Sequence, residues 1–130
     1  MFRKESKPQN RIDSLIGATT RIEGNVFFSG GLRVDGTVRG NVCALPDQPS
    51  TLVVSEQARI EGEVQASHVV VNGTIQGPVD SRETLELQAS SRVKGDIHYK
   101  SLEIQQGAVV EGRLVHRGAE LKQVELKVAK

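Results

Sequence analysis

Few side chains in this 130-residue chain are of the kinds that do chemistry, and their spacing argues against it. Histidines stand at 68, 98 and 116, and the single cysteine at 43. A metal centre needs several donors converging on one point, and general acid–base work needs a partner within hydrogen-bond reach. The sequence has no His-x-x-x-His pair and no cysteine cluster, so the histidines are expected at or near exposed corners. Cys43 has no histidine near it in sequence and reads as a small, partly buried residue. Glu23, Glu61 and Glu111 share an Ile/Val-Glu-Gly context, with Arg21 and Arg59 placed just ahead of two of them. Paired carboxylates can cleave glycosides. Here the recurrence of one tripeptide explains them more simply, as an outward column of charge that keeps a face soluble and resists lateral sticking. The glycines lack the strand–GxGxxG–helix setting of a phosphate cradle and fit tight turns or close packing instead. The chain therefore reads as a non-enzyme with no cofactor-binding or metal site.

The elements that carry these residues are repeats. The unit V/I-x-G-x-V/I/L recurs as IEGNV (22–26), VDGTV (34–38), IEGEV (60–64), VNGTI (71–75), VKGDI (93–97) and VEGRL (110–114). Short alternating runs precede some of them: LVV at 52–54, LEL at 85–87 and LEI at 102–104. The period is about 16–17 residues, with starts near Leu15, Leu32, Leu52, Val69, Leu85 and Leu102. The longer gap after Leu32 contains ALPDQPS, whose Pro46 and Pro49 mark a loop insertion. Units at Leu32 and Val69 carry an extra branched residue (Val38, Ile75) and a second glycine (Gly40, Gly77). Units at Leu52, Leu85 and Leu102 place Ala58, Ser91 and Ala108 at the comparable corner.

Apolar and polar residues alternate within each unit, the mark of strands with one buried face, and 17–116 offers no helical stripe. A unit of this length holds roughly three short strands per turn. Stacked about 4.8 Å apart, such strands make an all-β solenoid of about six turns around a column of Val, Ile and Leu. A β-sandwich also has short alternating strands, but its strands differ in role and need no constant period. Ile60, Val71, Val93, Ile97 and Val110 are expected to point inward. The β-helical domain is placed at 17–116, between flexible tails at 1–16 and 117–130.

Composition agrees with a narrow, regular interior. Apolar residues make up 37% and aromatics 3%, with no Trp. The two tails each carry four basic and two acidic side chains, while the middle is net acidic, which is a poor nucleic-acid surface. A lone cysteine suits a reducing compartment. The start, MFRKESKPQN, lacks the apolar core of a signal peptide, and the expected location is the cytoplasm.

The stretch IGATTRIEGNVFFSGGLRVDGTVRGNV (16–42), followed by further V-x-G-x-V units to about 116, resembles the bactofilin family. The resemblance implies a right-handed, single-stranded β-helix of triangular section that polymerises end to end. It also implies non-polar, nucleotide-independent filaments that serve as bacterial cytoskeletal scaffolds and recruit cell-wall or cell-shape factors. Many members reach the inner face of the cell membrane through a short N-terminal segment. Hexapeptide-type acyltransferase helices match less well, because their glycine recurs at every sixth place. A non-polymerising β-helical adaptor is the other alternative.

A solenoid has no free edges along its length, but its terminal turns expose unpaired backbone groups unless something caps them. The ends are therefore the expected self-association surfaces: Leu15, Ile16, Ile22, Val26, Phe27 and Phe28 in the first unit, and Ile104, Val110, Leu114 and Val115 in the last. Leu121, Val124, Leu126 and Val128 could partly cap the second end. Met1 and Phe2 beside Arg3 and Lys4 form an apolar tip next to basic charge, a candidate contact for anionic lipid.

Overall fold

The computed structural model describes residues 11–117. Every regular element within 14–116 is a strand, from Ser14–Ile16 to Leu114–His116. All pairings are parallel, and they collect into a 10-stranded and a 6-stranded sheet. The strands wind as a β-solenoid with three walls. One wall, here face B, is the 6-stranded sheet, one strand per turn: Arg21–Glu23, Thr37–Arg39, Arg59–Glu61, Thr74–Gln76, Arg92–Lys94 and Val109–Glu111. The larger sheet bends around one corner to make the other two. Face A begins with Ser14–Ile16, Gly30–Val34 and Ser50–Val54; face C begins with Val26–Phe28 and Val42–Ala44. In Val64–Val71 and Val79–Leu87 a single strand rounds the corner and serves both faces.

Because side chains alternate along a strand, each wall sends every second residue inward, and parallel stacking puts like on like. Face B contributes the column Ile22–Val38–Ile60–Ile75–Val93–Val110. Face C contributes Val26–Val42–Val64–Val79–Ile97–Leu114. Face A contributes Ile16–Val34–Val54–Val71–Leu87–Ile104, with a second column from Leu32 to Leu102. Leu52, Ile60, Ile75, Leu85, Leu87 and Ile97 are all buried to below 2% exposure. Burying a side chain of this size contributes about 1.5–3 kcal/mol each, as an upper estimate. This explains how a chain so poor in aromatics still has a continuous core.

Corners are fixed by glycine where the next turn lies too close for a side chain. A Cβ on Gly73 would sit 2.2 Å from the Ser55 carbonyl oxygen, because the short corner of that turn nests under the wider corner at 55–58. Gly95 combines a φ of +146° with a Cβ position 2.5 Å from the Gly77 carbonyl oxygen. The two versions of the repeat thus correspond to short and wide corners, which alternate through the first five turns, while the sixth turn repeats the wide corner of the fifth. Asn25 Oδ1 accepts from the Asn41 N–H at 2.9 Å, and Asn41 Oδ1 from the Glu63 N–H at 2.9 Å, which carries the ladder around another corner. The proline-containing insertion at 45–49 is exposed, with Asp47 at a φ of 68°, while Val42–Ala44 and Ser50–Val54 on either side keep their register.

Two expectations need correction. The ordered wall starts at Ser14, inside the stretch read as a tail. Within that first strand the register differs by one from the repeat alignment: Ser14 pairs with Leu32, and Leu15 with Arg33. A slip of one residue exchanges the two faces of a strand, so Leu15 points out and Ile16 points in. The wide first corner, GATT at 17–20, takes up the extra residue.

Candidate functional site at the solenoid ends

The structural feature that middle turns lack is found at both ends. Among the described residues, Ser14–Ile16, Arg21–Glu23 and Val26–Phe28 each pair with a neighbour on one side only, and so do Ser101–Ile104, Val109–Glu111 and Leu114–His116. Each end therefore offers a triangle of three free strand edges around an apolar centre. A row of unpaired N–H and C=O groups is a template for another chain.

The two triangles are unequal. At the first, Ile16 and Phe28 are each 8% exposed, and Ile22 and Val26 are partly buried. At the last, Ile104 is 47% and Leu114 43% exposed, with Leu102 and Val110 partly buried beside them. Of the residues expected at the joints, Ile16, Ile22, Val26, Phe28, Ile104, Val110 and Leu114 occupy the inward columns of the terminal turns. Leu15, Phe27 and Val115 project from the outside of the walls; Leu15 is 60% and Phe27 65% exposed. Leu102 belongs with the second triangle although the sequence reading left it out. Its place at the end of the Leu32 column was the available signal. Met1, Phe2, Arg3 and Lys4, and the apolar residues from Leu121 to Val128, lie outside the described residues.

Local electrostatics brace the ends. Asp13 accepts the Gly31 N–H at 3.1 Å and pairs with Arg11, and these hydrogen bonds hold its carboxyl below the usual range. Asp96 accepts the Arg113 N–H at 3.0 Å and pairs with its guanidinium, with the same effect on its pKa. Arg117 reaches back over the wall to Asp80. The last corner is closed by His116, whose Nε2 lies 2.8 Å from the Lys100 carbonyl oxygen and whose ring meets Tyr99 at 5.3 Å.

The residues that could have done chemistry are spread over the outer walls. Glu23 and Glu61 are not neighbours in a column of like charge: Arg39 sits between them, 3.7 Å from each, and Arg21 and Arg59 pair with the same carboxylates. His68 stands between Thr51 and Thr84, and burial lowers its pKa. Burial, with a smaller push from Glu63, raises the pKa of the Cys43 thiol, the reverse of what an activated nucleophile needs. No group of three or more His, Cys, Asp and Glu side chains able to hold a metal ion occurs among the described residues. Nor does any helix among them have the length and apolarity to cross a membrane.

The bactofilin profile, described as polymer-forming cytoskeletal, matches residues 14–115, from the first strand to the last. The chain belongs to the bactofilin family. Two Myxococcus xanthus (strain DK1622) relatives agree. Bactofilin BacO is 26% identical over 102 residues, 78% of this chain and 78% of its own length. Bactofilin BacP is 27% identical over 112 residues, 85% of this chain but 45% of its own length. Among solved structures, the Thermus thermophilus bactofilin in double helical filaments superposes with a TM-score of 0.62 at 27% identity, covering 78% of this chain and 98% of that one. The bactofilin solenoid is thus the architecture found here, and the family is a structural, polymer-forming one.

Proposed function

We propose that this bactofilin assembles end to end through its terminal turns into non-polar filaments that need no nucleotide and act as a bacterial cytoskeletal scaffold. The observation that carries this reading is the pair of open triangles: free strand edges at opposite ends of one rod, around apolar side chains left partly uncovered. Joining two such ends completes three ladders and removes apolar surface from water at once. The more exposed last turn supplies the larger hydrophobic contact, and the first turn the second, distinct joint. In the double helical arrangement named for the Thermus relative, two strands run together, and the same arrangement is proposed for this chain.

The filament is placed at the inner face of the cell membrane, held by Met1, Phe2, Arg3 and Lys4, and serves as a platform for cell-wall or cell-shape factors. Support comes from the apolar pair beside basic charge, which suits an anionic lipid surface at about 1 kcal/mol per basic residue. Deleting residues 1–7 or making Phe2→Glu is expected to abolish cosedimentation with anionic liposomes and to leave filaments intact.

Negative-stain microscopy of the purified protein, without nucleotide or metal, tests the central claim. Filaments are expected from the natural chain. Leu114→Arg should give folded, β-rich species no larger than a dimer by light scattering, since a non-polar filament has two kinds of joint and this change removes one. Discrete particles from the natural chain, or full-length filaments from Leu114→Arg, would favour the non-polymerising adaptor.

A further inference from the structure

The first turns carry an apolar patch that end-to-end contact does not use. Phe27, the most exposed of the large apolar residues among those described, points out of face C and is paired in register with Cys43 on the next turn. Leu45, 43% exposed, follows two residues after Cys43, and its N–H bonds the Phe28 carbonyl at 2.8 Å. Cross-strand neighbours one spacing apart and their diagonals lie within side-chain reach, so Phe27, Cys43 and Leu45 form one continuous patch. It lies on a side wall, perpendicular to the open ends.

The neighbouring surfaces are different in kind. Face B is laced by ion pairs through Arg21, Glu23, Arg39, Glu61 and Arg59. Further along face C itself the outward column passes to Asp80 and His98, with Arg117 paired across it. Two copies meeting on face B would have to desolvate or rearrange those charges, whereas the Phe27 patch is uncharged.

We infer that this patch is the lateral contact by which a second strand of the same chain packs against the first. The inference rests on the filament reading above. Area decides the form of the contact. A Phe buries about 150–250 Å², so a patch of three side chains stays far below the roughly 1,200 Å² at which isolated complexes become stable. Free subunits do not associate through it. In a filament the contact recurs with every subunit along a strand, and the linked contacts act together. Lateral pairing therefore follows polymerisation and depends on it.

The test compares the natural chain with Phe27→Glu, Leu45→Glu and the conservative Phe27→Leu, measuring mass per length of the filaments by electron microscopy. Both changed residues are exposed, so unchanged circular dichroism melting is expected for all three. The natural chain and Phe27→Leu should give paired strands, and both Glu variants single strands with half the mass per length. Leu114→Arg, with the patch intact, should remain free of lateral dimers at micromolar concentration. Paired strands in both Glu variants, or single strands in the natural chain, would overturn the lateral assignment and leave the end-to-end reading standing. Paired strands together with loss of binding to phosphatidylglycerol vesicles in the Glu variants would make lipid the occupant and overturn it as well. Absence of any filament from the natural chain would remove the filament reading, and this inference with it.

Discussion

Val93 in the fifth turn and Val110 in the sixth are the same residue in the same column, in register with each other on face B. Val93 is 1% exposed, while Val110 only packs against the core from its edge. Leu87 and Ile104 make the same contrast on face A, at 0% and 47%. Residue type does not separate the core from the exposed end turn in this molecule. What separates them is whether another turn lies above and below. A repeat in the middle satisfies its edges with its neighbours, whereas the same repeat at an end carries one satisfied edge and one open edge. On the end-to-end reading proposed above, a folded subunit and a growing polymer are built by one interaction.

The widest gap between the two regions should come from charge. Val93→Asp puts an unpaired carboxylate into a column covered on both sides and should cost several kcal/mol, enough to abolish cooperative folding. Val110→Asp can turn its charge to the open end and should keep the β-sheet circular dichroism signal while stopping filament growth. A folded Val93→Asp protein with the parent's melting temperature would break the comparison.

A smaller effect separates two corner glycines. Gly24 and Gly95 both have positive φ, at 134° and 146°, so alanine is strained at either by about 1 kcal/mol. An added Cβ meets nothing within 4 Å at Gly24, but it lies 2.5 Å from the Gly77 carbonyl oxygen at Gly95. Gly95→Ala should therefore lower the thermal midpoint markedly and Gly24→Ala only slightly, as read by circular dichroism. Equal shifts would mean that backbone strain alone sets the corner requirement.

The smallest expected effect is the pH dependence of the middle turns. Burial holds His68 below its ordinary 6.5 in the folded state, so the unfolded chain binds the proton more readily. The stability this contributes is complete above that value and declines as pH falls through 6.5 towards the folded pKa. Asp35, held low by the Ser55 hydroxyl and then by Arg33, and Asp96, held low by the backbone N–H and then the guanidinium of Arg113 in the last turn, lose their contributions only in a separate, more acid window below 3.8. His68→Asn should flatten the midpoint between pH 7.5 and 5.5 and leave the acid limb in place. An unchanged slope in that range would assign it to other groups.

Much of this was legible before any coordinates. Period, alternation and small corner residues identify a solenoid, and Ile60, Val71, Val93 and Ile97 point inward as the pattern requires. The terminal position of the last repeat also marks Ile104, Val110 and Leu114 as end residues. The repeat alignment misplaces the first strand by one because its corner, GATT at 17–20, is longer than its counterpart DG at 35–36, and apolar Leu15 sits next to apolar Ile16. With two apolar neighbours, alternation cannot say which one is buried. Phe27 and Phe28 pose the same ambiguity, and only the pairing of Phe28 with Ala44 in the interior column settles that Phe27 faces out.

The sequence by itself determined the repeat and the strand faces of the middle turns, because these depend on local alternation and on composition. The tertiary structure decided which turn lies on which. That order sets Arg39 between Glu23 and Glu61, puts Gly95 against the Gly77 carbonyl while Gly24 stays open, and leaves the last triangle more exposed than the first. The physical reason is that each of these properties belongs to a contact between residues 15 or more apart in the chain, where a corner longer or shorter by one residue changes every partner.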